Sequence, residues 1–225
     1  MKQLLQNPVY NALCTGDQHL SFGTEKVKYF DEEVSPFAGF DENYAYSFSD
    51  LYDLLPAGRK ILYAKTSIIP QPKGWQLHHE IKGLQFVYAG GEIKDEFPGV
   101  VPLTEIHVPE MIELTRLTKP GPFGKRTIDF GAYFGIFEAD KLVAMTGQRM
   151  HIENYTEISA VCTHPNHLGK GYATVLLKHQ LQLFLQKGDQ PFLHVRADNE
   201  RAIAVYEGLG FRVSRPMIFY FMKRE

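Results

Sequence analysis

The stretch HPNHLGKGYA, residues 164–173, is the most informative part of the 225-residue chain. It joins an apolar segment at residues 157–163 to an amphipathic segment at residues 171–187, and it contains Gly169 and Gly171. Glycine lets the backbone approach a ligand closely, and the free N–H groups and dipole at a helix start favour an anion. The stretch therefore predicts a strand, a turn and a helix, with a turn able to hold phosphate oxygens.

Two common phosphate-binding patterns fail here on spacing. A P-loop needs GxxxxGK followed by Ser or Thr, which Gly169-Lys170-Gly171 does not supply. A dinucleotide-binding turn needs a third glycine where Thr174 stands, and it lies near the start of a βαβ domain. A tight turn without any ligand stays an alternative at this point.

The rest of the chain predicts an α/β protein. From residue 100 onward the apolar pattern predicts the order β-α-β-β-β-α-β-α-β around a mixed sheet. Gly90-Gly91 through Phe97-Pro98-Gly99 marks a boundary, which divides the chain into domains at 1–99 and 100–225. The predicted elements of the second part are strands at 100–103, 133–138, 141–150, 157–163, 192–197 and from 211, and helices from Pro109, at 171–187 and from a cap at Asp198 or Asn199. Those of the first part are a helix opened by Asn7-Pro8, strands at 26–30, 60–65 and 84–88, and a helix at 49–55 capped by Ser49 or Asp50.

Composition narrows the class of function. Hydrophobic residues make up 44% and charged residues 22% of the chain, and the formal net charge is −2, so the sequence predicts an ordinary soluble protein. No basic run predicts binding to nucleic acid or to an anionic membrane. Cys14 and Cys162 form no CxxC pair, which predicts no zinc site and a reducing, cytoplasmic location.

The turn resembles the pyrophosphate-binding turn of GCN5-related N-acetyltransferases (GNATs), with the pattern Arg/Gln-x-x-Gly-x-Gly/Ala after a strand. Residues 199–211, NERAIAVYEGLGF, are similar to the N-x-x-A-x-x-x-Y-x-x-x-G-F ending of the same family. The resemblance covers residues 100–225, and more narrowly it is to the FR47-like branch, which includes the C-terminal half of glycine N-acyltransferases. The six positions of the turn are Leu168, Gly169, Lys170, Gly171, Tyr172 and Ala173, of which Leu168 departs from the pattern.

The resemblance implies a GNAT acyl-CoA N-acyltransferase fold with a centrally splayed sheet. It also implies that residues 1–99 are a degenerate copy of that fold, as in some two-domain relatives. Acetyl-CoA would be the cosubstrate, its pantetheine arm would enter the splay, and the N–H of Val161 or Cys162 would polarise the thioester carbonyl. The implied cofactor-binding residues are the six turn positions with Val161, Cys162, Thr163, Asn199 and Tyr206.

Two side chains are candidates for proton transfer. Glu157 stands where glycine N-acyltransferases carry a glutamate that serves as general base, and Glu153 or a water is the near alternative. Tyr206 lies seven residues after Asn199, on the same helix face, and a phenol with a pKa of about 10 can protonate a departing thiolate. A solvated Glu157, a core Tyr206 and an Asn199 that only caps its helix are the alternatives without function.

These observations predict an acetyl-CoA-dependent N-acyltransferase that acetylates a primary amine by direct attack. A CoA-binding sensor or scaffold without activity is the alternative from another class, and transfer to oxygen or sulfur, or of a longer acyl group, would use the same site. Protein N-termini, amino acids, polyamines and xenobiotic amines all stay open as acceptors. We expect residues 119–126 to shape the acceptor pocket, and a monomer or a homodimer.

Overall fold

The computed structural model describes residues 3–93 and 95–225, which form eleven strands and five α-helices with short 3₁₀ turns. The strands are β1 (Ser21–Gly23), β2 (Val27–Phe30), β3 (Phe37–Phe40), β4 (Lys60–Lys65), β5 (Trp75–Tyr88), β6 (Val101–Leu103), β7 (Tyr133–Glu138), β8 (Lys141–Ile152), β9 (Tyr155–Thr163), β10 (Gln190–Arg196) and β11 (Phe211–Arg224). The helices are α1 (Pro8–Cys14), α2 (Ser47–Leu54), α3 (Val108–Thr118), α4 (Tyr172–Lys187) and α5 (Glu200–Gly208). The predicted α/β class and the predicted element order from residue 100 onward are confirmed.

All the strands belong to one mixed sheet, in the order β1-β2-β3-β4-β11-β5-β10-β9-β8-β7-β6. Neighbouring strands are antiparallel except for β3 with β4 and β9 with β10. β11 lies between β4 and β5, and β5 lies between β11 and β10, so strand pairing crosses the predicted boundary at residue 99. The division into two domains stays a prediction, and each part supplies strands that the other pairs with.

The core also crosses that boundary. Val9 and Leu13 of α1 are buried in one cluster with Met150 and Ile152 of β8, so the first helix packs on a strand of the second part. On the other side of the sheet, α4 buries Leu176, Leu177, Leu181 and Phe184. Burying each of these side chains contributes about 1.5–3 kcal/mol, which holds α4 and the turn before it firmly on the sheet.

Three local predictions were incomplete or wrong. β5 begins at Trp75 instead of residue 84. Trp75, Leu77 and Ile81 alternate with polar residues there, but His79 interrupts the pattern and residues 76–80 are exposed. β3 was missed, since it is a short, wholly buried run in which Gly39 approaches the backbone of Tyr10. Ser49 and Asp50 do not cap α2, which begins earlier, and the Ser49 hydroxyl instead donates to Tyr46 O within the first turn.

Candidate active site

The sheet opens between β9 and β10. Their parallel pairing joins residues 155–157 to residues 190–192 and goes no further, although both strands continue. A bulge in β9 around Ala160, whose φ is 53°, changes the direction of the strand at this point. The predicted splay is therefore confirmed.

Backbone N–H groups of β9 face this opening. His164 N donates to Val143 O of the neighbouring strand at 2.7 Å, and Cys162 pairs with Met145 on the same side. Successive N–H groups of a strand point in opposite directions, so those of Val161 and Thr163 point away from β8. Of the two predicted donors, Val161 has the N–H directed towards the opening.

The glycine turn has the predicted conformation. Gly169 and Gly171 have φ values of 82° and 80°, in the left-handed region that favours glycine, and a Cβ on either would meet nothing within 4 Å. α4 starts directly after Gly171 without a side-chain cap, which leaves the first N–H groups of the helix available. The turn thus presents free N–H groups and the positive end of a helix dipole to open space.

One cavity of about 820 Å³ runs along the turn and the opening between the strands. It brings together ten of the eleven residues predicted to bind the cofactor, together with residues 119–122 of the predicted acceptor loop. The ten are Val161, Cys162, Thr163, Leu168, Gly169, Gly171, Tyr172, Ala173, Asn199 and Tyr206.

Lys170 is the exception among the predicted residues. Its side chain turns away from the cavity, and its Nζ lies 2.8 Å from Glu138 Oε1. The hydroxyl of Tyr172 donates to the same carboxylate. These two hydrogen bonds, that of Lys170 foremost, lower the pKa of Glu138 to about 2. Lys170 therefore helps to tie the turn to β7, and only its backbone belongs to the turn.

Tyr206 lies on α5 and Asn199 directly before it, both along the cavity. Tyr206 is 8% exposed, and burial, with a smaller effect of Cys162, raises its pKa to about 12. Its hydroxyl has no hydrogen-bonding partner among the described residues and is not sealed from solvent. Asn199 caps the helix, where its side-chain oxygen accepts from Ala202 N at 3.2 Å. Tyr206 is thus a protonated phenol facing the cavity, while Asn199 both caps α5 and lines the cavity.

Glu157 is fully buried and lies behind the cavity wall. Its carboxylate accepts two hydrogen bonds from Arg149, at 2.9 and 2.8 Å, and lies 2.8 Å from Nδ1 of His194. Burial alone would raise the pKa of this carboxyl, but the charges of Arg149 and then of His194 bring it to about 2. Arg149 and His194 line the cavity whereas Glu157 does not, so Glu157 reaches the cavity only through these two side chains. Glu153, the near alternative, is exposed in the turn between β8 and β9.

Sequence reasoning missed Arg149, His194 and Gln85. Arg149 faces Glu157 across the β8–β9 hairpin, so the register of that hairpin was a usable signal. Gln85 is fully buried on β5, and its Nε2 lies 2.8 Å from Leu5 O and 3.1 Å from Nε2 of His194. No local pattern connects Gln85 to His194, since the two meet only through the β5–β10 pairing.

The wall of the cavity away from the glycine turn is apolar. The Arg149 guanidinium lies over the ring of Phe37, 4.8 Å from its centroid. The apolar side chains come from strands on both sides of the predicted boundary, namely Phe37 of β3, Leu62 of β4, Ile81 of β5, and Phe219 and Phe221 of β11. We refer to these five residues as the apolar wall.

The remaining candidate groups have structural surroundings. Burial raises the pKa of the Cys162 thiol to about 12, which makes it a poor nucleophile. Within residues 3–93 and 95–225, no three His, Cys, Asp or Glu side chains are arranged to hold a metal ion. No helix in this described part of the chain is long and apolar enough to cross a bilayer.

Comparison with known proteins agrees with this geometry. The family model described as FR47-like protein matches residues 133–219. A GNAT-family protein of known crystal structure, from Novosphingobium aromaticivorans DSM 12444, is 31% identical over 98% of each chain, with a TM-score of 0.92. The predicted resemblance and fold are confirmed by this match.

Two curated relatives are similar over shorter segments. A mycothiol acetyltransferase from Corynebacterium efficiens is 31% identical over 86 residues, which are 38% of this chain and 29% of that protein. Another, from Streptomyces scabiei, is 33% identical over 110 residues, 47% of this chain and 35% of that protein. The matched segments thus span about a third of the length of these relatives.

Proposed function

The chain belongs to the GNAT family of N-acetyltransferases, and we propose that it transfers an acetyl group from acetyl-CoA to a primary amine by direct attack. The observation that carries the proposal is the single cavity, which joins the glycine turn to the β9–β10 opening, Tyr206 and the apolar wall. A cofactor with phosphates at one end and a thioester at the other fits this succession of groups. The acetyltransferase names of the two curated relatives support the choice of acyl group.

The residues present suit acetyl-CoA. The uncapped start of α4 and the open space at Gly169 and Gly171 provide N–H groups for pyrophosphate oxygens. The N–H of Val161 would donate to the thioester carbonyl and stabilise the negative charge that develops there. Arg201, an exposed cation at the cavity, would add attraction for the phosphates.

The transfer requires two proton movements. The amine nitrogen bonds to the acetyl carbon and loses a proton, while the C–S bond breaks and the thiolate gains one. Tyr206 would supply the second proton, because its raised pKa keeps the phenol protonated at neutral pH. Glu157 would act on the first only through His194, since both its oxygens already accept hydrogen bonds within the protein.

The proposal is tested by binding and by thiol release. Acetyl-CoA should raise the unfolding temperature by ligand linkage, and a panel of primary amines should include some that release free CoA thiol. Desulfo-CoA is a matched ligand for the binding measurement, because it keeps the phosphates and lacks the reacting sulfur. The absence of any shift with acetyl-CoA would refute the assignment of the cavity.

One observation favours the alternative of a CoA-binding module without activity. Glu157, the first candidate for the base, is buried in an ion pair, and neither it nor the alternative Glu153 lines the cavity. A thermal shift with acetyl-CoA but no thiol release from any primary amine would favour this alternative. Acyl acceptors with hydroxyl or thiol groups, and longer acyl-CoA donors, belong in the same panel.

A further inference from the structure

The part of the cavity that would receive the amine has a distinct chemical character. We propose that the acceptor is an aminoacyl group with an apolar side chain, that is, a primary amine whose adjacent carbon carries both a carbonyl group and an apolar substituent. The inference rests on the acetyl transfer proposed above and names its substrate class. Three properties of the cavity carry it: its apolar wall, the charges of its lining and the unused donors of Arg149.

The apolar wall favours an acceptor with an apolar substituent. Its five side chains lie on four strands and line one space, where they offer no hydrogen bond to a polar substituent. Ile81, Phe219 and Phe221 supply most of the accessible surface, since Phe37 and Leu62 are almost fully buried behind them. Sites of this kind bind the apolar part of a ligand and leave its orientation to a few polar groups. An aromatic or branched aliphatic substituent on the acceptor therefore fits this wall better than a chain of polar atoms.

The charges of the lining disfavour a polycationic acceptor. Among the described residues, none that lines the cavity is Asp or Glu, whereas Lys119, Arg149, Arg196 and Arg201 all line it. A second ammonium group would lose water there without gaining a carboxylate partner, which is costly for a charge. Glu157, which lies behind the cavity wall, is already neutralised by Arg149. Polyamines are therefore poor candidates.

Arg149 supplies the specific contact. Its Nε and Nη2 donate to Glu157, while Nη1 has no partner within residues 3–93 and 95–225 and is not sealed from solvent. The guanidinium lies over Phe37 at the edge of the apolar wall. An oxygen acceptor beside an apolar substituent would receive a charge-assisted hydrogen bond from Nη1.

The position of Arg149 places this oxygen close to the reacting amine. Glu157, which holds Arg149, is also the last β9 residue paired with β10, so Arg149 is anchored where the opening begins. Val161, the proposed thioester donor, follows on the same strand. An oxygen held by Arg149 and an amine attacking at the opening are best supplied by neighbouring atoms of one molecule, as in an α-amino carbonyl unit.

A panel of four amines tests the inference on the wild-type protein. L-phenylalaninamide and L-phenylalanine carry the carbonyl group, phenethylamine is the matched amine without it, and spermidine is the polycation. We expect kcat/KM for the better of the first two to exceed that for phenethylamine by about 10- to 100-fold, the range of a lost hydrogen bond to a charged group. Spermidine should give a rate close to the background. The better of the first two compounds distinguishes a peptide N-terminus from a free amino acid.

The variant Arg149→Lys tests the contact itself. Lysine keeps a positive charge near Glu157 but has no second nitrogen that could donate to the acceptor. The ratio of kcat/KM for the carbonyl compounds to kcat/KM for phenethylamine should therefore fall towards one, while the affinity for acetyl-CoA is kept. An undiminished preference in a folded variant would overturn the role of Arg149. Equal rates for phenethylamine and phenylalaninamide in the wild type, or a highest rate with spermidine, would refute the proposal of an aminoacyl acceptor. The proposal of acetyl transfer to an amine would still stand. Thiol release from no amine at all would overturn both proposals.

Discussion

The two ends of the cavity are built on different principles. At the glycine turn the groups offered to a ligand are backbone N–H groups, and the segments that supply them follow one another along the chain. At the acceptor end the groups are side chains such as Phe37, Arg149 and Phe221, which meet only because β3, β8 and β11 join one sheet. Backbone recognition leaves a local pattern of glycines, whereas recognition by distant side chains leaves none. Five changes to the protein or its conditions would test this contrast, and we take them from the largest expected loss of stability to the smallest.

Deletion of residues 1–99 should have the largest effect. It removes β5 from between β10 and β11, together with three of the five residues of the apolar wall. Because β4 and β5 are both lost, β11 would have no neighbour on either side and one edge of β10 would be exposed. We therefore expect aggregation and no cooperative unfolding transition by circular dichroism. The full-length chain is the control. A soluble 100–225 fragment with a cooperative transition would show instead that the second part folds without its partner strand.

Replacement of Glu157 by Gln should be the most destabilising single substitution. It leaves the Arg149 charge buried without a counter-ion, for which we expect a loss of about 3 kcal/mol in the free energy of unfolding. Denaturant titration measures this loss. The combined replacement of Glu157 by Gln and Arg149 by Met removes both charges and should recover a large part of it; failure to recover would mean that the ion pair is not the cause.

The same carboxylate predicts a dependence of stability on pH. The folded pKa of Glu157, about 2, lies below the value of about 4.3 for an unpaired glutamate. Its contribution to stability is therefore fully present above the unfolded pKa and is lost as the pH falls from about 4.3 towards 2. Denaturant titrations between pH 6 and pH 3 should show a smaller decline for Glu157→Gln than for the wild type. Parallel curves for the two proteins would contradict the assignment.

Two glycines at opposite ends of α4 provide a matched pair. Gly171 and Gly188 have φ values of 80° and 81°, and a Cβ on either would meet no atom within 4 Å. Alanine at either position should cost about 1 kcal/mol of stability, because both must adopt the left-handed region. Only Gly171→Ala should weaken acetyl-CoA binding, by about 10-fold, as measured by calorimetry, because only Gly171 belongs to the turn. Equal effects of the two variants on binding would show that the glycine turn does not hold the cofactor.

Replacement of Tyr206 by Phe should cost the least stability and still impair the reaction. The hydroxyl makes no hydrogen bond within the described residues, so its loss should change the free energy of unfolding by less than about 0.5 kcal/mol. The rate of thiol release should nevertheless fall about 100-fold, with acetyl-CoA affinity kept, because the thiolate loses its proton donor. An unchanged kcat would show that Tyr206 is not the proton donor to the thiolate.

The same contrast explains how much the sequence could predict. Gly169, Gly171, Asn199 and Tyr206 stand at fixed spacings on consecutive elements, so their presence in one cavity was predictable. The environment of Glu157 was not, because Arg149 and His194 face it only after a bulged hairpin and a parallel pairing have formed. Gln85 and Phe37 were still less accessible, since they come from the part of the chain where no motif was found. The direction of the Lys170 side chain could not be predicted, because the pattern specifies the backbone of the turn and not the direction of its side chains.

The place of β11 has a consequence for how the protein is made. β11 pairs with β4 on one side and β5 on the other, over separations of roughly 120 to 160 residues. During synthesis β4 and β5 leave the ribosome first and must wait for this strand with their facing edges unpaired. Pairings between segments so far apart fold slowly, and unpaired strand edges invite aggregation meanwhile. Folding is therefore expected to finish late, when residues 211–224 close the middle of the sheet, and the acceptor end of the cavity is completed by that same step.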